Sequence, residues 1–173
     1  MNASLPIDRT FLDPSMHLRS PEWNDAEAVA QVIYAACVAE GDPILAVSSE
    51  ELKHEWQDPG FKLERDAFVV ETPERRVVGY AAVTNSYGHA IFNMDGNVHP
   101  DFKGRGIATT LLRAVEKRAR EMLSLAAPDV MVSIRTTINK NEPDSQSLHL
   151  NEGYQPIRYH WRMEIALDGP PPE

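Results

Sequence analysis

The chain has 173 residues, 42% of them hydrophobic and 25% charged, which suits one compact domain that buries its core without disulfide or metal staples. Its formal charge of -9 excludes the clustered-cation surface that sequence-independent nucleic-acid binding needs, and is compatible with a cationic partner. The one cysteine, Cys37, excludes a disulfide framework or Cys-based metal cluster, and no apolar run approaches the ~20 residues of a membrane span. No metal, membrane or nucleic-acid partner is therefore expected, and residence is expected to be cytoplasmic.

Residues 1–15, with Pro6 and Pro14 and no periodicity, read as a tail, followed by a first strand. A helix is expected from Asn24, a cap residue with Glu27 three positions on, and its buried stripe is Ala26, Val29, Ala30, Ile33, Ala36 and Cys37. Ser48 followed by Glu51 starts a second helix, which places Leu52 and Trp56 on one face and stops before Pro59-Gly60. Residues 67–72 and 77–83 are rich in β-branched and aromatic types and flank the turn residues 73–76, so they form a hairpin. The turn residues 85–88 lead into a third strand over 89–98.

From 104 to 122 the period changes to that of a helix, with Ala108, Leu111, Leu112, Val115, Ala119 and Met122 inward. A strand over 130–134 and a short helix near 144–152, stopped by Gly153, follow. The last strand alternates Tyr159, Trp161, Met163, Ile165 and Leu167 against Arg158, His160, Arg162 and Glu164. Residues 168–173 are a Pro-rich tail, leaving a domain over 16–167. This order implies an α+β class with a largely antiparallel sheet and a late crossover through the helix at 104.

That helix opens on Lys103-Gly104-Arg105-Gly106-Ile107-Ala108. Glycines allow close backbone approach, the first helical N–H groups lack internal partners, and Lys103 and Arg105 add positive charge, so an anion is the natural ligand. An ordinary strand-to-helix connection is the alternative on spacing alone. No Gly-Lys-Ser/Thr closes a P-loop, and Thr109 stands where a dinucleotide fingerprint needs its third glycine.

The hydrophobic-x-Pro strand end Val98-His99-Pro100, followed by Lys103-x-x-Gly106-x-Ala108, resembles the GNAT superfamily of N-acetyltransferases, with Lys in place of the usual Arg or Gln. The element order over 16–167 resembles it too. This resemblance implies a sandwich-like α+β fold with a mostly antiparallel mixed sheet of about six to seven strands and about four helices, splayed where the cofactor enters. It implies acetyl-CoA as co-substrate and no metal. Val98 would bind the pantetheine arm through its backbone, while His99, Lys103 and the amides of Gly104, Arg105, Gly106, Ile107, Ala108 and Thr109 would surround the pyrophosphate. Asn141 lies one position from the family's cofactor-contacting Asn. A Gly106→Asp change would then displace the pyrophosphate and leave the fold intact.

Acetyl transfer to a primary amine of a small molecule or peptide needs a base, since an ammonium of pKa ~10.4 is almost wholly protonated at pH 7. Asp95, with His89 and Asn93, shares a strand face, unless 95–97 is a turn or bulge. The Val98 N–H could serve the oxyanion. The register of the family's proton-donating Tyr holds His149, with Tyr154 and Tyr159 as other donors. A homodimer is compatible with all of this. The alternative is a CoA-binding, non-catalytic or structural GNAT domain, because residues 161–173 resemble the junction of tandem GNAT proteins such as mycothiol synthase.

Overall fold

The computed structural model describes residues 10–86, 88–163, 165 and 169. Most of the two expected tails, together with Glu164 and Leu167 of the expected last strand, lies outside them.

Strand β1 (His17–Arg19) leads through a 3-10 turn at Trp23–Asp25 into α1 (Ala26–Ala39), which buries the expected stripe. The cap differs from the expected Asn24 and Glu27: the Glu22 amide donates to Asp25 Oδ2 at 2.6 Å. Asp25 takes this role because its carboxylate also binds Arg19 of β1, at 2.6 Å, so one charge caps the helix and ties it to the sheet. In α2 (Ser49–Trp56) the expected capping box is present, with Ser48 Oγ accepting from the Glu51 amide at 3.2 Å and Glu51 Oε2 accepting from the Ser48 amide at 2.8 Å. Leu52 and Trp56 are buried as expected.

A one-turn helix, α3 (Leu63–Asp66), was not foreseen. Its buried Asp66 carboxylate accepts from the Lys62 amide and from Arg118 Nε, both at 2.7 Å. The hairpin β2 (Ala67–Glu71) and β3 (Val77–Ser86) turns through Arg75 at φ 64°, and β4 (Ile91–Val98) returns antiparallel to β3. Then come α4 (Ile107–Glu121), β5 (Ser133–Arg135) and α5 (Pro143–Asn151), after which Gly153 takes φ 91° as a helix stop.

The sheet runs β1-β2-β3-β4-β5, antiparallel except for the parallel β4–β5 pair. It is the core of an α+β fold with five strands and five α-helices among the described residues. One face, with Val70, Val78, Ala81, Phe92 and Met94, packs on Ile107, Leu111 and Val115 of α4. The other, with Val69, Val77 and Tyr80, packs on Val29, Ile33, Leu52 and Trp56 of α1 and α2. Gly79 sets the height of α4, since a Cβ there would come within 2.6 Å of Ile107 Cγ2.

Three strand expectations are corrected. His89 is not on β4 but in the turn before it, at φ 66°, with its amide donating to Asn85 Oδ1 at 3.2 Å. The strand expected over 130–134 shrinks to Ser133–Arg135, because Asp129 turns at φ 70° and Val130 and Met131 face solvent. Residues 158–163 and 165, the described part of the expected last strand, carry neither strand nor helix, since alternation makes a strand only where a neighbour offers its edge. Among the described residues the sheet therefore has five strands and not the expected six to seven.

Candidate active site

The loop after β4 forms a cradle lined by backbone amides. Pro100 starts a 3-10 turn over Pro100–Phe102, Gly104 and Gly106 take φ 77° and 73°, and α4 begins at Ile107 with Gly106 as its cap. The first bond of this helix runs from the Thr110 amide to the Gly106 carbonyl at 3.0 Å. The amides of 104 to 109 have no hydrogen-bond partner among the described residues, leaving a run of six donors at the positive end of the helix dipole. A Cβ added at Gly104 would meet nothing within 4 Å, so this side of the cradle is open. Gly106 serves a different purpose, because a Cβ there would run into the Phe11 carbonyl. The Asp13 amide donates to the Arg105 carbonyl at 3.1 Å, so residues 11–13 back the cradle rather than forming free tail.

Positive charge is arranged differently from the sequence expectation. Lys103 Nζ binds both oxygens of Glu142, at 2.8 and 2.9 Å, and so latches the segment before α5 onto the loop. Arg105 lies over the Phe102 ring, as does Arg76 from the β2–β3 turn, each guanidinium 5.1 Å from its centroid. Arg76 Nη2 also lies 3.0 Å from His99 Nε2. Arg76 was missed, although an Arg75-Arg76 pair in the hairpin turn of an acidic chain was a signal for it.

Beyond the cradle, β4 is open along one edge. Strand β5 pairs only with Ile91, Phe92 and Asn93, and no described residue continues that ladder past Asn93. Backbone groups of successive strand residues point to opposite edges. Ser133 donates to the Ala90 carbonyl and the His99 amide donates to Val78, so even-numbered residues of β4 face β5 and odd-numbered ones face β3. Met94, Gly96 and Val98 thus present their backbone groups to the gap, as the expected splay requires.

Asp95 stands beside this gap. The β3–β4 register is continuous through Ala82↔Asp95 and Tyr80↔Asn97, so 95–97 is strand rather than turn or bulge, and Asp95 is on the α1–α2 face. Its Oδ1 accepts from the Gly96 amide at 2.9 Å, which curls the carboxylate toward the open edge. Solvent reaches it, yet protein crowds it closely, and this burial raises its pKa above the usual carboxylate range against the lowering effect of the Gly96 bond. Asn93 shares the face but bonds Ser86 Oγ at 3.1 Å, away from the gap.

Other acids surround Asp95. Glu55 of α2 is raised by burial and then by Asp95, and Glu40 after α1 is raised by burial and then by Glu142, with Asp95 and Asp42 adding to it. An open groove of about 430 Å³, lined by Val47, Glu50, Glu51, His54 and Glu55, adjoins this cluster along α2. Neither Glu40 nor Glu55 was legible as a site residue, because each reads as an ordinary solvated helix charge until α1 and α2 fold over β4. Asn141 does not reach the β4 edge. Its Nδ2 donates to the Glu40 carbonyl at 3.1 Å, binding the loop before α5 to the end of α1.

His149 and Tyr154 are placed apart from Asp95. His149 is buried, with Nδ1 2.8 Å from the Ser145 carbonyl, Nε2 enclosed without a partner, and its ring edge-on to Tyr154 at 5.1 Å. Tyr154 packs on the α4 side of the sheet, where burial raises its pKa, and the Glu116 carboxylate raises it further without an ordinary hydrogen bond joining the two. Tyr159 is exposed.

Comparison with known proteins agrees with this geometry. Over 92 residues the chain is 33% identical to an acetyltransferase of Pectobacterium atrosepticum, covering 49% of this chain and 62% of that one. A GCN5-related N-acetyltransferase from Sphaerobacter thermophilus superposes with a TM-score of 0.77 at 31% identity, over 85% of this chain and 45% of that one. An acetyltransferase from Salmonella typhimurium, solved with its cofactor acetyl-CoA, superposes at 0.63 and 19% identity, over 82% and 80% of the two chains. The chain thus spans between about half and two thirds of the length of its first two relatives, and these likenesses give no support to a tandem arrangement. No helix among the described residues is long and apolar enough to cross a membrane. Residues 27–141 match the Acetyltransferase (GNAT) family, and with the cradle, the splayed strand and the fold in agreement, the chain belongs to that family.

Proposed function

We propose that this protein is an acetyl-CoA-dependent N-acetyltransferase that acts by direct transfer onto a primary amine of a small molecule or peptide. One observation carries the reading: the six unpaired amides of 104–109 run on into the unpaired edge of β4, with the Asp95 carboxylate beside that edge. A pyrophosphate followed by an extended polar arm fits such a path, and Gly104 leaves room for it.

Acetyl-CoA, when bound, supplies an acetyl group as an activated thioester. The amides of 104–109 would hold its pyrophosphate, with Arg76 and Arg105 adding charge. The backbone of Met94 and Val98 would hold its arm, and the Val98 N–H would donate to the reacting carbonyl oxygen. Asp95 takes a proton from the acceptor ammonium; the neutral nitrogen then forms the C–N bond as the C–S bond breaks, and the thiolate leaves to be protonated by water. A raised carboxylate pKa makes Asp95 a stronger base. Asp95, Glu55 and Glu40 together favour a cationic acceptor, whose charge relieves their mutual repulsion. His149 and Tyr154 are left to the core.

Calorimetric titration with acetyl-CoA and thiol release against a panel of amines test this. Tight binding with thiol release that depends on a cationic amine is expected. Binding without release on any amine would instead favour a CoA-binding, non-catalytic domain.

A further inference from the structure

Lys103 borders the unpaired amides of 104–109, yet its charge is directed elsewhere. Its Nζ donates to both oxygens of Glu142, 39 residues away in sequence, at 2.8 and 2.9 Å. The two side chains are 36% and 15% exposed, so water reaches the pair.

The segment that carries Glu142 keeps its shape without this pair. The Glu142 amide donates to the Asn139 carbonyl at 3.0 Å, Asn141 Nδ2 to the Glu40 carbonyl at 3.1 Å, and Gln146 Nε2 to the Lys140 carbonyl at 3.0 Å. An ion pair this open to water adds little to stability. Stability therefore does not account for the pair, and charge does.

The Glu142 carboxylate lies near that of Glu40, whose pKa is raised by burial and then by Glu142, is lowered by Lys103, and is raised further by Asp95 and Asp42. Lys103 thus stands between two claims on one cation: these carboxylates on one side, and the amide-lined cradle, with any anion held there, on the other. A lysine can answer either, because a flexible four-carbon stem carries its compact charge and three donors. A pyrophosphate carries more negative charge than one carboxylate and is already fixed by the amides, so it draws the ammonium to itself. Each unit of attraction that Glu142 gives up in the exchange is subtracted from the binding of the anion.

We infer, on the basis of the acetyl-CoA site proposed above, that Glu142 is a positioning residue for the cofactor: it holds Lys103 off the cradle until the pyrophosphate displaces it and recruits the ammonium. The affinity for acetyl-CoA is then set below what the cradle and Lys103 would reach together, in proportion to the strength of the Lys103–Glu142 pair.

Calorimetric titration of acetyl-CoA into the full chain tests this on the wild type, Glu142→Gln, Lys103→Met and the double variant, with circular dichroism and melting temperature as controls for folding. Glu142→Gln is expected to bind acetyl-CoA at least about fivefold more tightly than the wild type, because Lys103 no longer has to be pulled away. With Lys103→Met already present, the same change should bring none of that gain. A Glu142 that only fastened its loop to the cradle would give the opposite sign, since losing it would loosen the site. Binding by Glu142→Gln that is equal to or weaker than wild type overturns the inference. An equal gain with and without Lys103 overturns it as well, because the effect would then be one of net charge and not of release. A wild type that does not bind acetyl-CoA removes the proposed cofactor site and this inference with it, whereas binding without the gain removes this inference alone.

Discussion

The two sides of this sheet treat their polar groups in opposite ways. Around β1, β2 and α3 each buried or half-buried charge has a partner: Arg19 binds Asp25 and Glu71, and Arg118 binds Asp66. Around the end of β4 and the start of α4, six consecutive amides have none among the described residues, an edge of β4 is open, and acids are gathered with like charge. An unmet hydrogen bond or a crowded carboxylate lowers stability unless water or a ligand answers it. Stability is therefore concentrated on one side and binding capacity on the other, and substitutions should separate accordingly.

Asp95→Asn is the strongest way to sharpen this contrast. Loss of the base should lower kcat by about 10²–10⁴-fold while leaving acetyl-CoA affinity within a factor of two of wild type. The same change should raise the melting temperature at pH 7. The folded pKa of Asp95 lies above its unfolded value, so the ionised carboxylate costs stability above the folded pKa, and this cost disappears as pH falls below the unfolded one. The sign carries over to activity. In the wild type, kcat/KM should rise with pH through an inflection above the ordinary carboxylate range of about 4, and that limb should vanish in Asp95→Asn. An unchanged profile would remove Asp95 from the mechanism.

Arg118→Ala should do the reverse on the paired side. It leaves the Asp66 carboxylate, which is 6% exposed, without its cation, and urea unfolding should show a loss of about 3–5 kcal/mol. Acetyl-CoA affinity of the folded protein should not move. If affinity fell as much as stability, the two sides would not be separable.

The cradle glycines divide along the same line. Gly104→Asp puts a negative side chain into open space beside the amides, so acetyl-CoA should bind at least about tenfold more weakly, with about 1–2 kcal/mol lost to the positive φ. Gly106→Asp is the poorer probe than the sequence suggested, because its Cβ meets Phe11 and unfolding would obscure the binding loss. The smallest effect is expected for His149→Ala, whose turnover at saturating substrates should stay within twofold of wild type. A larger loss with a shifted pH profile would return His149 to the reaction.

Much of the fold was legible because period and punctuation are local. The α1 stripe, the Ser48 box, the 67–83 hairpin, the amphipathic face of α4 and the Gly153 stop all depend on neighbours a few residues away. The alternation of 158–167 was equally clear, yet it makes no strand among the described residues, since a strand is completed by an edge elsewhere. Asp25 displaced Asn24 as cap only because β1 brings Arg19 to it.

By itself the sequence determined a helix start rich in glycine and cation, and with it the family and the expectation of an anion there. The tertiary structure decided which groups are left free there. Folding consumed Lys103 in a pair with Glu142, brought Arg76 from a distant hairpin to Phe102, and turned Gly106 toward Phe11 while leaving Gly104 open. It also enclosed His149 and set Asp95 beside an edge that β5 does not reach. Spacing along a chain fixes residue type and local geometry, but whether a charge or an amide remains unpartnered depends on what the rest of the chain packs against it.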